Sequence, residues 1–346
     1  MCSVAEGIEF RPRPPRGRLA PSVLLCGALA GCGLAHLPGS APPAALPKTD
    51  GAAATAPAPR ATPASTADEA ALVTFYSNVE KELIATGRMR LDTAPADAPY
   101  GVDDLVRDFQ DVALNQEYVM VGNHLEDTAT PIPLRRWTGP VRVGVVTSAS
   151  TPPADAAHDR GNVAAFTQRL ARLTGTDMTM GQGNDVNFAV LFMTNAEREA
   201  FATEVATRFP TFSPAMVAAL RSTPLDTFCT TYSFFQPDDV SAYSAVIIVI
   251  RAEHPPLTRL SCVNEEMSQA MGLPNDSRDS RPSLYNPSIE FALLTEHDET
   301  LLRMLYDPRL HPGMSAEQIR PLLPEIARDA MAAEQAQKGR TEVATN

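Results

Sequence analysis

The sequence has few aromatic side chains, a deficit of positive charge and no long apolar run near its start. Aromatic residues make up 6% of the 346 residues, with a single Trp, whereas 31 are Pro. That imbalance predicts a Pro-rich segment outside any folded core.

The 29 basic residues are outnumbered by 41 acidic ones. Because nucleic-acid and cationic membrane-binding surfaces need clustered Lys and Arg, the composition argues against nucleic acid as a partner. The 44% hydrophobic residues suit an ordinary folded core.

The N terminus has the layout of a secretion signal. Four Arg residues between positions 11 and 18 precede an apolar run at 19–31, which is far shorter than the ~20 residues of a membrane-spanning helix. The run Leu29-Ala30-Gly31-Cys32 resembles a bacterial lipobox, which implies cleavage after Gly31 and acylation of Cys32. We therefore expect a lipoprotein signal peptide at 1–31 and a membrane anchor through the lipid on Cys32. The alternative is an ordinary secretory signal in which Cys32 occurs by chance.

The residues after Cys32 predict a tether rather than a domain. Residues 32–66 are rich in Ala, Pro and Thr, so they lack the apolar side chains that would repay the entropy of ordering. The residue after Cys32 is Gly33, and by analogy with lipoproteins that lack Asp there, sorting to the outer membrane is favoured over retention at the inner membrane. The expected location is therefore the periplasmic side of the cell envelope.

Cysteine is scarce, and its distribution predicts one disulfide. The chain has five Cys; Cys2 and Cys26 lie in the expected signal peptide, and Cys32 is the expected lipid carrier. Cys229 and Cys262 then remain in a compartment that favours oxidation, so we expect a bond between them. The alternative is two separate buried thiols.

Hydrophobic periodicity predicts a single α+β domain at 67–333, with a disordered polar tail at 334–346. The Val- and Ile-rich run at 243–250 is typical of a strand covered on both faces. The order of elements predicts one mixed β-sheet with helices packed on it. The predicted helices lie at 66–86, 102–115, 162–174, 196–208, 214–221, 257–272 and 300–305, and the predicted strands at 141–145, 186–193, 229–235 and 243–250.

The predicted helix at 257–272 carries the residues that point to chemistry. Glu265 and Gln269 are four residues apart and share one face, and Glu266 lies one residue further round, so all three can border one cleft. In zinc peptidases of the HExxH type, two ligands with this spacing hold the metal, and the Glu after the first ligand activates water. Here Glu265 and Gln269 occupy the two His positions, and Glu266 occupies the position of the general base.

The same region resembles the metzincin pattern, although every metal-binding His is replaced. Gly272 matches the Gly bend of that pattern, and Asn275 or Asp276 falls at the third-ligand position. Downstream, Ser283-Leu284-Tyr285-Asn286 resembles the Met-containing turn of metzincins. Asp298 lies in a segment similar to the segment that follows this turn in metzincins. The resemblance implies a zincin-like fold in which Tyr285 and Asp298 support a peptide-binding cleft.

A closer resemblance extends over nearly the whole domain. The motif Cys-x-x-Glu-Glu-x-x-Gln-x-x-Gly-Leu-x-Asn-Asp at 262–276 and the motif Leu-Tyr-Asp-Pro-Arg-Leu-x-Pro-Gly-Met at 305–314 resemble a family of secreted bacterial proteins. This family is a domain of unknown function, numbered two-nine-two-seven. Leu-Arg-Arg-Trp at 134–137 and Arg-Leu-Ala-Arg-Leu-Thr-Gly at 169–175 are similar to its earlier segments. Glu-Glu-x-x-Gln is that family's own pattern, which implies that the whole family lacks the metal-binding His.

Donor chemistry argues against tightly bound zinc, so we expect no metal and no other cofactor. Amide oxygens are poor zinc ligands beside imidazole, and one carboxylate with two amides suits even Ca²⁺ only weakly. Two functions remain open. In the first, a degenerate zincin-like scaffold binds an extended polypeptide or glycan without catalysis. In the second, the protein is a hydrolase in which Glu266 is the general base. The negative charges of Glu265 and Glu266 repel each other, which separates the pKa values of the two carboxyl groups.

Each candidate residue also has a purely structural interpretation. Asn275 and Asp276 suit an ordinary turn, and Gln269 would tie its helix to the sheet. Arg309 is expected to fix a carboxylate. If that carboxylate belonged to Glu265 or Glu266, the negative charge of the cleft would be neutralised, which would argue against catalysis.

Overall fold

The computed structural model describes residues 66–121, 124–208 and 212–345. The expected signal peptide at 1–31, Cys32 and all but the last residue of the expected tether lie outside these residues. Within the described chain, no helix is both long and apolar enough to cross a bilayer. The described helices are α1 (Thr66–Ala85), α2 (Val102–Ala113), α3 (Pro153–Thr174), α4 (Asn195–Arg208), α5 (Pro214–Arg221), α6 (Pro256–Gln269), α7 (Glu296–Leu305), α8 (Ala316–Ile319) and α9 (Leu323–Thr345). The strands are β1 (Asn115–Val121), β2 (His124–Pro131), β3 (Val141–Thr147), β4 (Met178–Met180), β5 (Phe188–Met193), β6 (Cys229–Gln236) and β7 (Asp239–Arg251).

The centre of the fold is a five-stranded mixed sheet, which confirms the predicted α+β class. The strand order is β4-β3-β5-β7-β6. The first four strands run parallel, and β6 pairs antiparallel with β7 at the edge. All six residues of β5 are buried, as the continuous apolar runs predict for a strand covered on both faces.

Helices cover both faces of the sheet because side chains of the central strands alternate between two cores. Val190 and Phe192 of β5 enter a larger core formed with α2, α3, α6, α7 and α9. Leu191 and Met193 enter a smaller core formed with α4 and α5. Each such side chain contributes roughly 1.5–3 kcal/mol when it is fully buried. Helix α6 therefore packs into the larger core, against β7 and β6.

A two-stranded hairpin stands apart from this sheet and was not predicted. Strands β1 and β2 pair antiparallel, with Asn115 opposite Pro131 and Tyr118 opposite Asp127. The backbone N–H of Glu117 donates to the carbonyl of Pro274, 3.1 Å away. The hairpin is thereby attached to the loop that follows helix α6.

The C-terminal end of the domain differs from the prediction. Residues 334–346 were expected to be a disordered tail, but helix α9 continues to Thr345. Glu334 is only 6% exposed, and its carboxylate accepts a hydrogen bond of 2.7 Å from the Thr300 hydroxyl. The hydroxyl of Tyr100 also donates to this carboxylate, at 3.4 Å. The polar composition gave no sign of these contacts, because they connect Glu334 to residues far away in the sequence.

The predicted disulfide is confirmed and joins the edge strand to helix α6. Cys229 begins β6 and Cys262 lies in the second turn of α6, with their Cα atoms 5.9 Å apart. The bond closes a loop with a sequence separation of 33 residues, which constrains the unfolded chain by about 3–4 kcal/mol in the entropic model. Helix α6 is therefore fixed beside the outer strand of the five-stranded sheet.

Candidate functional site

The site begins with the last two turns of helix α6, which are fixed at both ends. The disulfide at Cys262 holds the helix to β6, and the indole N–H of Trp137 donates to the carbonyl of Ala270 at 3.0 Å. Between these points lie Glu266, which is 7% exposed, and the half-buried Glu265 and Gln269. The structure therefore brings the three residues of the Glu-Glu-x-x-Gln motif to one side of the helix, next to the sheet edge.

Glu266 is held by the edge strand. The hydroxyl of Thr231 in β6 donates a hydrogen bond to Oε2 of Glu266. Burial raises the pKa of Glu266 to about 7, although the bond from Thr231 opposes the rise and the charge of Glu117 adds to it. A carboxyl group with this pKa is partly protonated at neutral pH, which suits either proton transfer or binding of a cation.

Three further carboxyl groups surround Glu266. Burial and then the charge of Asp276 raise the pKa of Glu265 well above its ordinary value. Burial and then the charge of Glu117 raise the pKa of Asp276 in the same way. Glu117 reaches the site from hairpin strand β1, and burial followed by the charge of Asp127 raises its pKa to about 7. The hairpin, helix α6 and the loop after it thus form one acidic cluster of Glu117, Glu265, Glu266 and Asp276.

Gln269 and Asn275 use their amide groups to shape the site. Nε2 of Gln269 donates to Oδ1 of Asp276 at 2.9 Å. Nδ2 of Asn275 donates to the carbonyls of Asp111 at 3.0 Å and Asp276 at 2.8 Å. Asn275 therefore connects the loop after α6 to helix α2, whereas Asp276 belongs to the acidic cluster.

The donor set of the site does not fit a zinc ion. In the part of the chain that the structure describes, no three side chains of His, Cys, Asp or Glu are arranged to hold a metal ion. Of the degenerate ligand positions, Gln269 and Asp276 are hydrogen-bonded to each other, and Asn275 faces backbone carbonyls. Carboxylates without imidazole or thiolate are also a weak zinc set.

Tyr285 and Asp298 form a buried support next to the cluster. Asp298 accepts hydrogen bonds from the Ser283 hydroxyl at 2.6 Å and the Leu284 N–H at 2.9 Å. Tyr285 is fully buried. Burial raises its pKa well above the ordinary value, and the charges of Asp298 and Glu265 add to the rise. The chain turns at Leu284 and Tyr285, and Asp298 fixes this turn to helix α7.

Arg309 does not neutralise the acidic cluster. Its guanidinium pairs with Asp307 at 2.8 Å and with Asp329 at 2.7 Å. The expectation that Arg309 fixes a carboxylate is met by Asp307, a neighbour in its own turn. An ion pair of Arg309 with Glu265 or Glu266 is not formed, because Asp307 lies only two residues away in the chain.

Two site residues were missed in the sequence, Glu117 and Thr231. A signal for the first was present: Gly122-Asn123 separates two runs of strand length, and a two-residue Gly-Asn spacer is typical of a β-hairpin. Thr231 lies in a correctly predicted strand, but no local pattern connects it to Glu266. The contact of Thr231 with Glu266 follows only from the packing of β6 against helix α6 in the folded chain.

The raised pKa values predict that lower pH stabilises the fold. The ordinary Glu value is 4.5, whereas Glu266 and Glu117 titrate near 7 in the folded protein. Between these values the folded state binds more protons than the unfolded state, so stability falls as the pH rises from 5 to 7. The buried Glu266 contributes up to about 1.4 kcal/mol per pH unit. Urea unfolding followed by Trp137 fluorescence measures the slope.

Two variants provide the comparison for this pH dependence. Glu266→Gln removes one titrating group and is expected to flatten the slope. Glu82→Gln, at an exposed position of α1, should leave it unchanged. A wild-type stability that increases from pH 5 to pH 7 would contradict the assignment.

Comparisons with known proteins identify a family but no activity. No curated protein and no solved structure is significantly similar to this chain. One family model, described as "Protein of unknown function (DUF2927)", matches residues 102–325. The match includes the hairpin, the whole sheet, helix α6 and the turn at Tyr285. The chain therefore belongs to the DUF2927 family of proteins of unknown function.

Proposed function

We propose that this protein is a lipid-anchored protein of the cell envelope whose domain binds an extended, positively charged polypeptide without catalysis. Anchoring through Cys32 is supported by the lipobox-like sequence, and the outer membrane is favoured by Gly33. The zincin-like architecture is supported by the position of helix α6 beside a sheet edge and by the Gly bend that follows it. The observation that carries the binding proposal is the acidic cluster next to the free edge of β6.

The free edge favours a polypeptide ligand over a glycan. Strand β6 pairs only with β7 within the described sheet. An edge strand presents unpaired N–H and C=O groups, which an extended peptide can complete as an added strand. Hairpin residue Gln116 and the ring of Phe235 in β6 are connected through Arg135, which contacts both. This contact places the hairpin near the end of β6, so an added strand has a second wall beside it.

Charge favours a basic ligand. The charged groups with the largest effect on the pKa of Glu265 are the carboxylates of Asp276, Glu266, Glu117 and Asp298. Like charges brought together at a partly buried place destabilise one another. Lys or Arg side chains of a bound peptide would relieve this repulsion, whereas an acidic or neutral ligand would not.

Binding of short fluorescent peptides tests the proposal. A Lys-rich extended peptide is expected to bind more tightly than a Glu-rich peptide of equal length, and added salt should weaken it. Glu265→Gln is expected to weaken binding about tenfold or more, because a bound Lys or Arg would ionise the Glu265 carboxyl group and pair with it, whereas Gln cannot ionise. Glu82→Gln makes the same change at an exposed site on α1 and should have no effect. Equal binding of both peptides, or preferential binding of a glycan, would refute the basic-polypeptide assignment.

A hydrolase remains the second candidate because of Glu266. Its pKa of about 7 is suited to a general base, and the Thr231 hydroxyl orients its carboxylate. Incubation with peptides and with peptidoglycan, followed by mass spectrometry of the products, separates the two functions. Turnover that is lost in Glu266→Gln and retained in Glu82→Gln would overturn the noncatalytic proposal.

A further inference from the structure

A small cavity lies on the opposite face of strand β6 from Glu266. Its volume, counted as space for the centre of a water molecule, is about 10 Å³. This is close to the space that one water or one monatomic ion needs. The lining includes Arg198 from α4, Arg251 from β7, and Thr230 and Tyr232 from β6. Strand β6 therefore borders the acidic cluster on one face and a cationic cavity on the other.

The guanidinium groups of Arg198 and Arg251 are both buried. Arg198 is 4% exposed and Arg251 is 3% exposed. Among the described residues, neither has a carboxylate oxygen within 4.0 Å, the distance that defines an ion pair. Burial and then the charge of Arg251 lower the pKa of Arg198. An isolated cation inside a protein is strongly unfavourable, and a second cation beside it increases the cost.

Their hydrogen bonds leave one nitrogen of each group unused. Nη1 of Arg198 donates to the carbonyl of Leu220 at 3.2 Å, and Nη2 donates to the side chain of Asn195. Arg251 donates through Nε and Nη2 to backbone carbonyls of the loop between α5 and β6. Nε of Arg198 and Nη1 of Arg251 are buried, and neither has a hydrogen-bond partner within the described part of the chain. Two buried N–H donors thus belong to residues that line the same cavity.

The nearby carboxylate does not balance both charges. Glu253 is 3% exposed, and its Oε1 accepts the N–H of Asn195 at 2.6 Å. The charge of Arg251 lowers the pKa of Glu253, although burial raises it more. Glu253 is thus a buried carboxyl group that acts on both guanidinium groups, while Glu199 acts on Arg198 from an exposed position, where solvent screens its charge. A water molecule in the cavity could accept hydrogen bonds from the two unpartnered N–H groups, but it would not balance the excess positive charge of the guanidinium groups.

We propose that Arg198 and Arg251 form a binding site for one monatomic anion, with chloride as the physiological ligand. The cavity is too small for phosphate or a carboxylate group, so size selects a single ion. The anion would fix the inner side of β6 through Thr230 and Tyr232, whose neighbour Thr231 orients Glu266. The site is independent of the ligand that the acidic cluster takes.

Thermal unfolding of the folded domain in matched salts tests the site. We expect chloride or bromide to raise the melting temperature above that in gluconate of equal ionic strength. The rise should saturate and reach about 5 °C. Arg198→Met should abolish the difference between the salts, whereas Arg172→Met, at an exposed position of α3, should preserve it. Identical melting curves of the wild type in chloride and gluconate would overturn the proposal.

A crystal grown with bromide gives a readout that does not depend on a variant folding. The expected result is an anomalous peak between the guanidinium groups of Arg198 and Arg251. Anomalous peaks at surface positions only, with water density in the cavity, would show that a neutral molecule fills it and would refute the anion site.

Discussion

Replacing Asp298 by Ala is expected to lower the free energy of unfolding by about 3–5 kcal/mol, because a buried charge with several partners is lost. Its carboxylate accepts the Ser283 hydroxyl, the Leu284 N–H and, at 3.0 Å, the N–H of Thr295. All of these groups are buried. Without Asp298, their donors would face an apolar interior, and the turn that carries Tyr285 would lose its attachment to α7.

The neighbouring histidine adds to this cost. His297 is fully buried, with Nε2 3.0 Å from Asp108 and Nδ1 3.5 Å from Asp298. Burial alone would lower the pKa of His297, but the contacts with Asp108 and Asp298 outweigh it and raise the pKa to about 9. The imidazolium is therefore charged at neutral pH, and Asp298→Ala would leave it with one carboxylate instead of two.

Urea unfolding monitored by Trp137, the single Trp, measures the effect of Asp298→Ala. Asp298→Asn keeps the shape and one acceptor oxygen, so a smaller loss is expected. Asp103→Ala removes an exposed carboxylate from the first turn of α2 and should cost at most about 1 kcal/mol. A loss for Asp298→Ala no larger than that of Asp103→Ala would show that the network contributes little.

Gly272→Ala is expected to destabilise the fold by at least about 3 kcal/mol, since both the backbone angle and the available space require glycine. The φ angle of Gly272 is +125°, and a Cβ atom there would lie 2.1 Å from the carbonyl oxygen of Arg135. That segment cannot retreat easily, because Leu134 exchanges backbone hydrogen bonds of 2.9 Å with Met314 and Gly313.

Gly161→Ala is the matched control for this substitution. Gly161 lies in an exposed part of helix α3, and a Cβ atom there would meet nothing within 4 Å. Alanine should therefore stabilise the protein by about 0.4–1 kcal/mol by restricting the unfolded chain. Thermal and urea unfolding of both variants test the pair. Equal stabilities for Gly272→Ala and the wild type would mean that the turn after α6 adjusts freely.

The sequence predicted elements where apolar periodicity is strong. Strands β5 and β7 were located from continuous apolar runs, and helix α6 was placed at 257–272 against an observed Pro256–Gln269. The helix is shorter because the N–H groups of Gly272 and Leu273 both turn back to the carbonyl of Gln269. The sequence analysis identified Gly272 as a bend. The residue at which helical hydrogen bonding stops could not be predicted, because it depends on the backbone of Arg135, which lies against Gly272 in the folded chain.

The acidic cluster was only half predictable, because helical spacing connects residues within one turn and not across the fold. Glu265, Glu266 and Gln269 are related by position along α6, so sequence alone grouped them. Glu117 lies almost 150 residues earlier and reaches the cluster through a hairpin whose polar strands gave little periodic signal. The partner of Arg309 was a local one, Asp307 in the same turn, whereas the sequence analysis considered the distant Glu pair.

The bond between Cys229 and Cys262 imposes an order on the maturation of this domain. Strand β6 supplies Thr231 and helix α6 supplies Glu266, so the link that aligns these two elements forms only when the thiols are oxidised. A freshly synthesised chain in a reducing solution has the same residues but lacks this covalent alignment. In the binding function proposed above, the alignment of Thr231 with Glu266 is therefore fixed covalently only in the oxidised protein.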